Sequence, residues 1–283
     1  MAREEPLTPN RRQALIGLSA IGLAGAARAA VPLDMTGRSQ QGGTLIGRTR
    51  PRAQVYVDGV FEGLASEDGY FVVGFDRDSA LKTVIRVVTA EGEAEHVSNI
   101  APGVFDIQKI DGLSDDQVNP QGEALLARIA AEAERKTVGF ASRADRQDFR
   151  TGFILPLTKF RLSGHFGGQR VLNGVPKRPH YGDDLAAPIG TPIRAPAAGV
   201  VAFAETGLHF EGGLTLLDHG QGLITAYLHQ SKVLVKQGEV VKQGQVMGAV
   251  GMEGRATGPH LCWRMKWHGR YLDPMLLVGV RAA

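Results

Sequence analysis

TGPHLCWRMKW, residues 257–267, is the stretch on which the reading of this chain turns. His260 and Cys262 stand two apart in an apolar, aromatic run, and the 283-residue chain has no other cysteine. On a β-strand, side chains at i and i+2 point to one face, so the imidazole and the thiol can address a common site. Neutral imidazole, carboxylate and thiolate are all zinc ligands, and three protein ligands with one open position define a catalytic zinc. The plain alternative is a small buried hydrophobe in a metal-free strand, since free cysteine is commonly buried. Trp263 and Trp267, four apart on the same strand, read as core packing.

Two further stretches supply partners. HYGDD places His180 four residues before Asp184, and YLHQS puts His229 at the end of an apolar strand. Seven of the eight histidines fall between residues 151 and 279, which concentrates the chemistry in less than half of the chain. The same region reads as β structure. TPIRAPAAGVVAFAET and KVLVKQGEVVKQGQVMGAVG are strand-and-turn patterns, and GLTLLDHGQGLITAYLH is a hairpin about a D-H-G-Q-G turn. Gln237-Gly238 and Gln243-Gly244 mark tight reversals between short strands. His165, His219 and His268 read as structural or solvent-facing; His209 does too, although its loop, TGLHFEGG, is a candidate lining for a cleft.

These motifs resemble those of the lysostaphin-like zinc peptidases, the LytM-type domains that cut peptide cross-links in bacterial peptidoglycan. The family shows H-x-x-x-D, a later histidine in a Y-x-H-type strand, and a G-P-H-x-H strand. The resemblance covers roughly residues 151 to 279. It implies that His180 and Asp184 are the first two zinc ligands, and that His229 and His260 are the active-site histidines beside the metal. The third ligand of the family is the second histidine of H-x-H, and Cys262 occupies that position here. A thiolate reaches as far as the replaced ring nitrogen, because a Zn–S bond is about 2.3 Å. Charge changes more: aspartate plus thiolate neutralises Zn²⁺, which predicts a less acidic bound water and a slower enzyme.

The remainder of the chain is less specific. Residues 35–102 read as a small β-sandwich, from short strands such as AQVYVDGVFEG and YFVVGFD separated by VDG and SEDG turns. Residues 103–150 read as a loop and a connecting helix, with an apolar stripe of Leu125, Leu126, Ile129, Ala130 and Ala133. Residues 151–283 are then the LytM-type domain, a β-sheet of barrel-sandwich type, so that the fold class is mainly β. Residues 1–30 have the layout of an export signal: Arg11-Arg12, about fifteen small and apolar residues, then Ala27-Arg28-Ala29. The arginine pair points to the twin-arginine route and a periplasmic or extracellular location; a short uncleaved anchor is the other reading of that run. No later stretch is long enough to span a bilayer.

The net charge of +3 gives no case for nucleic acid: once the residues before position 30 are set aside, 28 basic face 27 acidic residues. The resemblance implies a peptidoglycan peptide as the partner and Zn²⁺ as the cofactor. Two rival functions remain in view. One is a degenerate LytM-type domain that contacts a cell-wall amidase or scaffold protein. The other is a biotinyl- or lipoyl-type carrier built on VKQGEVVKQGQV, which would need Lys266 at an exposed hairpin tip.

Overall fold

The computed structural model describes residues 30–282, so the expected export segment lies outside the described residues except for Ala30. The chain opens with seven short strands: β1 (Asp34–Gly37), β2 (Thr44–Arg48), β3 (Gln54–Val57), β4 (Val60–Leu64), β5 (Tyr70–Gly74), β6 (Lys82–Thr89) and β7 (Gly92–Asn99). They form two small antiparallel sheets, ordered β1-β2-β5 and β4-β3-β6-β7. Strand alternation sorts the faces. Val55 and Val57 are 3% and 4% exposed, while Tyr56 between them is half-buried. The β3–β4 turn holds Asp58 and Gly59 at φ 49° and 80°, the left-handed pair that a two-residue hairpin requires.

A linking segment follows, made of β8 (Ile107–Ile110), a short α1 (Asp115–Val118) and α2 (Glu123–Phe140). The helix spans the residues that the sequence marks, but it docks by a different face. Leu126 is 48% exposed, and Ala130 and Ala133 also face solvent. The docked side is polar or small: Glu132 accepts the His209 backbone N–H at 2.8 Å, Lys136 pairs with Glu211 at 2.7 Å, and Gly139 lies against Phe203 and Leu216. Of the apolar stripe only Leu125 and Ile129 are even half-buried, because the helix is held largely by hydrogen bonds and ion pairs to the β14–β15 turn, with Phe140 packing on the sheet beyond.

The rest of the chain is a second β structure. Its strands are β9 (Arg161–Gly164), β10 (Gln169–Leu172), β11 (Val175–Pro176), β12 (Asp183–Ala186), β13 (Pro192–Arg194) and β14 (Gly199–Leu208). They continue as β15 (Gly212–Asp218), β16 (Leu223–Val233), β17 (Val240–Val241), β18 (Val246–Val250), β19 (His260–Trp267) and β20 (Arg270–Leu272). The main path runs β17-β14-β15-β16-β19-β12-β9, open at both ends rather than closed into a barrel. β8 returns from the linking segment to pair in parallel with β10. The glycines at 238 and 244 have φ of 84° and 81°, as the reversals after Gln237 and Gln243 demand.

One hydrophobic core runs through both β structures, joining Leu45, Val73 and Ile85 to Trp263, Trp267 and Leu272. The approach is close: a Cβ on Gly74 would meet the Leu272 side chain at 2.7 Å. The N-terminal sandwich therefore packs at the Trp267 end of β19. Seven residue steps of ~3.3 Å separate that end from His260, some 23 Å along the strand.

His219, in the β15–β16 turn, is fully buried. Its Nδ1–H donates to the Ala198 carbonyl at 2.7 Å, and its Nε2 accepts from Thr225 Oγ1 at 2.7 Å. Burial lowers its pKa from 6.5 to about 4. Because the folded value is depressed, the stabilisation is complete above the unfolded value and is lost as pH falls towards about 4, by up to about 3 kcal/mol. Melting curves between pH 7.5 and 4.5 test this. The His219→Gln variant is expected to melt lower at pH 7.5 but to lose fewer degrees on acidification; an equal loss in both proteins would refute it.

Candidate metal centre and its groove

β19 builds the floor of the site by strict alternation. Leu261, Trp263, Met265 and Trp267 are at most 2% exposed and face the core, so His260, Cys262, Arg264 and Lys266 share the opposite face. β12 lies antiparallel to it with Asp184 opposite Cys262 and Ala186 opposite His260. His180 stands just ahead of β12. Its backbone is clamped to the preceding loop, His180 N to the Gly168 carbonyl and Gly167 N to the His180 carbonyl, at 2.8 and 2.6 Å.

His229 reaches the site by breaking a strand rule. Leu228 pairs with Cys262 across β16 and β19, so regular alternation would turn His229 away from that face. The β15–β16 register shifts here, with Gly213 opposite Gln230 but Thr215 opposite Tyr227. This is a bulge, and it holds His229 at φ 63°. The bulge re-aims the ring, which ends 4.7 Å centroid to centroid from that of His260. Each ring is fixed by a backbone acceptor: His229 Nδ1–H donates to Glu253 at 2.7 Å and His260 Nδ1–H to Gly258 at 2.8 Å. Both Nε2 atoms are thereby left as lone pairs turned to the site.

His180 Nε2 lies 3.3 Å from Cys262 Sγ and 3.2 Å from Asp184 Oδ1, and the three donor atoms are all within 4.8 Å of one another. A tetrahedral ion of zinc's size sets its donors roughly 3.4 to 3.7 Å apart. Asp184 Oδ1 is buried with no hydrogen-bond partner, although two imidazole nitrogens face it. A carboxylate oxygen in that position is satisfied by a cation. The residues therefore fit a metal centre, with Cys262 completing it in place of a histidine.

The electrostatics separate the donors. Burial lowers His180 to about 4, so the imidazole is neutral at neutral pH. Burial opposes the Asp184 charge, but His180 and Arg170 outweigh it and keep the carboxyl below the usual carboxylate range. Burial pushes the Cys262 thiol up to about 12. Burial, reinforced by His260, lowers His229 to about 3.

Sequence reasoning missed the arginines. Arg170 donates to Asp184 Oδ2 at 2.9 Å, and Arg264 Nε donates to Cys262 Sγ at 3.3 Å. Period two from Cys262 marks Arg264; Arg170 arrives from a separate strand and has no such signal. Asp184, His229 and His260 also face a cavity of only about 40 Å³, walled by Ile110 and Leu113 of the linking segment and by Leu172, Arg170 and Arg255. Gln117 ties that segment down, donating to the Gly254 carbonyl at 3.0 Å. His209 stands apart: its ring nitrogen meets the Asp116 carbonyl at 3.2 Å. His165 is exposed, and His268 pairs with Glu62 at 2.6 Å. Lys266 is half-buried and paired with Tyr271 in the β19–β20 ladder, over the Phe140 and Tyr271 rings, rather than exposed at the hairpin tip, which argues against the carrier reading.

Residues 178–274 match the sequence profile of peptidase family M23. Over 121 residues, 42% of this chain and 27% of the other, it is 42% identical to the peptidoglycan DD-endopeptidase ShyA of Vibrio cholerae. The DD-carboxypeptidase/endopeptidase Mpg of Neisseria meningitidis is 38% identical over 122 residues, 43% of this chain and 28% of that protein. The chain thus spans little more than a quarter of the length of these relatives. A Pseudomonas aeruginosa protein whose crystal structure is assigned to peptidase M23 is similar over a greater extent. It aligns with 86% of this chain and 96% of its own, at 29% identity and a TM-score of 0.62.

The donor pKa values predict how a divalent metal would load. With His180 neutral and Asp184 ionised, Cys262 alone has a proton to lose at pH 7. Zinc titrated into metal-free protein is expected to release about one proton, and affinity to rise about tenfold per pH unit. Calorimetry in two buffers of different ionisation enthalpy reads this directly. Cys262→His should release about none; wild-type binding without proton release would remove Cys262 from the donor set.

Proposed function

We propose that the protein is an exported zinc metalloendopeptidase that hydrolyses peptide cross-links of bacterial peptidoglycan. The observation that carries this reading is the convergence of His180, Asp184 and Cys262 on one point, with an orphaned carboxylate oxygen between two imidazoles. The family match and the relatives' endopeptidase names support the reaction class. The Arg11-Arg12 run supports export, into the periplasm or beyond, where the substrate lies. Among the described residues no helix is long and apolar enough to cross a membrane.

His180 Nε2, Asp184 Oδ1 and Cys262 Sγ would hold the ion. Zinc bound there would supply Lewis acidity towards a scissile carbonyl and lower the pKa of the attacking water. The chain's own groups do the rest. His229 and His260 present Nε2 lone pairs, fixed in tautomer by the Glu253 and Gly258 carbonyls, at the edge of the same point. From there one of them accepts the water's proton and, as an Nε2–H, passes it to the leaving amine. Arg170 and Arg264 put positive charge behind the two anionic donors. That charge offsets part of the Lewis acidity the extra thiolate removes, so the cysteine slows the site without disabling it.

A degenerate, non-hydrolytic domain that works through an amidase or scaffold would have no need to retain these groups. His180, Asp184, His229 and His260 all stand in the site, and the one exchange is for a competent ligand.

Metal analysis and muropeptide release on the purified protein test the proposal. The expected result is one zinc per chain and conversion of cross-linked peptides to monomers. Cys262→His should keep or raise the rate, and Cys262→Ser should lose both metal and rate. His229→Ala should keep its metal and lose roughly 10²-fold in kcat. Wild-type protein that holds no zinc, or that releases nothing while Cys262→His behaves alike, overturns the enzyme reading.

A further inference from the structure

A cavity of about 300 Å³ lies beside the donor cluster, walled by Arg170, Lys177, Arg178, Arg255, Arg264 and His180, with Tyr181 and Tyr271 at its side. Five cations line it, and no carboxylate does. A neighbouring cavity of about 370 Å³ shares Arg178, Arg264 and Tyr271 with it, and its one acid, Glu211, is already paired with Lys136 at 2.7 Å. The two spaces adjoin, and the unpaired charge lining them is of one sign.

The cations differ in what they are free to do. Arg170 is committed to Asp184, and Arg264 gives its Nε to Cys262. Lys177 donates to Asn119 Oδ1 at 2.6 Å, a neutral partner. Arg255 has one long hydrogen bond, 3.4 Å to the Gln117 carbonyl, and stacks over the Phe210 ring at 4.7 Å. Arg178 is exposed and has no ion-pair partner among the described residues. Arg255 also lines the small cavity that holds Asp184, His229 and His260, so it bridges the reacting point and the basic wall. Arg255 is half-buried beside Arg170 and Arg264 and has no ion-pair partner among the described residues, an arrangement that favours an occupant bringing counter-charge. Planar guanidinium forks are matched by carboxylates, which they bind in pairs of parallel hydrogen bonds.

We infer that this basic wall is a carboxylate-reading subsite, in which Arg178 and Arg255, with Lys177 beside them, hold a free carboxylate of the substrate peptide within a residue or two of the bond that is cut. Placing the cleaved bond rests on the peptidase reading above; the binding preference does not. The carboxylate is either the C-terminus of the bound strand or an acidic side chain in it. The arginines act as specificity residues: they select peptides whose acids are free over those whose acids are amidated, and they take no part in proton transfer.

Three short fluorescent peptides with a neutral dye test the inference on the full-length chain: one with a free C-terminus, one C-terminally amidated with a glutamate side chain, and one with the amidated C-terminus and glutamine. Affinity is read by fluorescence anisotropy, with zinc and again after EDTA, so that no turnover is needed. At least one acidic peptide is expected to bind about tenfold tighter than the neutral one, and the preference to shrink as salt rises. Which acidic peptide binds tightly identifies the source of the carboxylate. Arg178→Gln, at an exposed position where folding is not at stake, should erase most of the preference and leave the neutral peptide's affinity unchanged; Arg255→Gln should do the same. Equal affinity for all three peptides overturns the subsite, as does an equal loss for acidic and neutral peptides in both variants. A chain that prefers the acidic peptides yet releases no muropeptide keeps the subsite and loses the peptidase reading. One that cleaves peptidoglycan but ignores amidation does the reverse.

Discussion

The antiparallel pairing of β12 with β19 is the constraint on which the site depends. It sets Asp184 directly opposite Cys262, and directly opposed residues on one face have their side chains within contact distance. A slip of β19 by one residue would turn Cys262 to the core face, away from Asp184. Trp263 and Trp267, sealed on the core side of β19, make that slip expensive, since two indoles would have to leave the interior. The hydrophobic core thus does chemical work at a distance: by fixing the register it fixes the donors.

Around that pairing the chain uses two other devices. Backbone clamps and a bulge bring in the groups that regular strands cannot: His180 from a loop, His229 through a left-handed residue. Charge is then balanced from outside. Asp184 and Cys262 each meet an arginine, so the two groups of the cluster that can carry negative charge are both faced by cations.

Much of the fold was legible in local pattern. Val55 and Val57 alternate with Tyr56, Asp58-Gly59 announces its hairpin, and GLTLLDHGQGLITAYLH pairs as expected in β15 and β16. α2 shows where pattern fails. Its length follows from helix formers, but its buried face is Glu132 and Gly139, chosen by partners on β14 and its turn that no periodicity can reveal. The single core joining the two β structures was equally invisible, because which surfaces meet is set by long-range packing.

For the site, the sequence by itself determined the residue types and their order: His180 four before Asp184, a later His229, then His260 and Cys262 on one strand face. Those are local facts, and period two is enough to read them. Only the tertiary structure decided that the five converge, that a bulge turns His229 inward, that Ile110 and Leu113 wall the small cavity the cluster faces, and that Arg170, Arg178, Arg255 and Arg264 line the space beside it. Each of these joins segments far apart in the chain. Their placement is set by strand register and core packing, which depend on every strand in the sheet at once and on no short stretch alone.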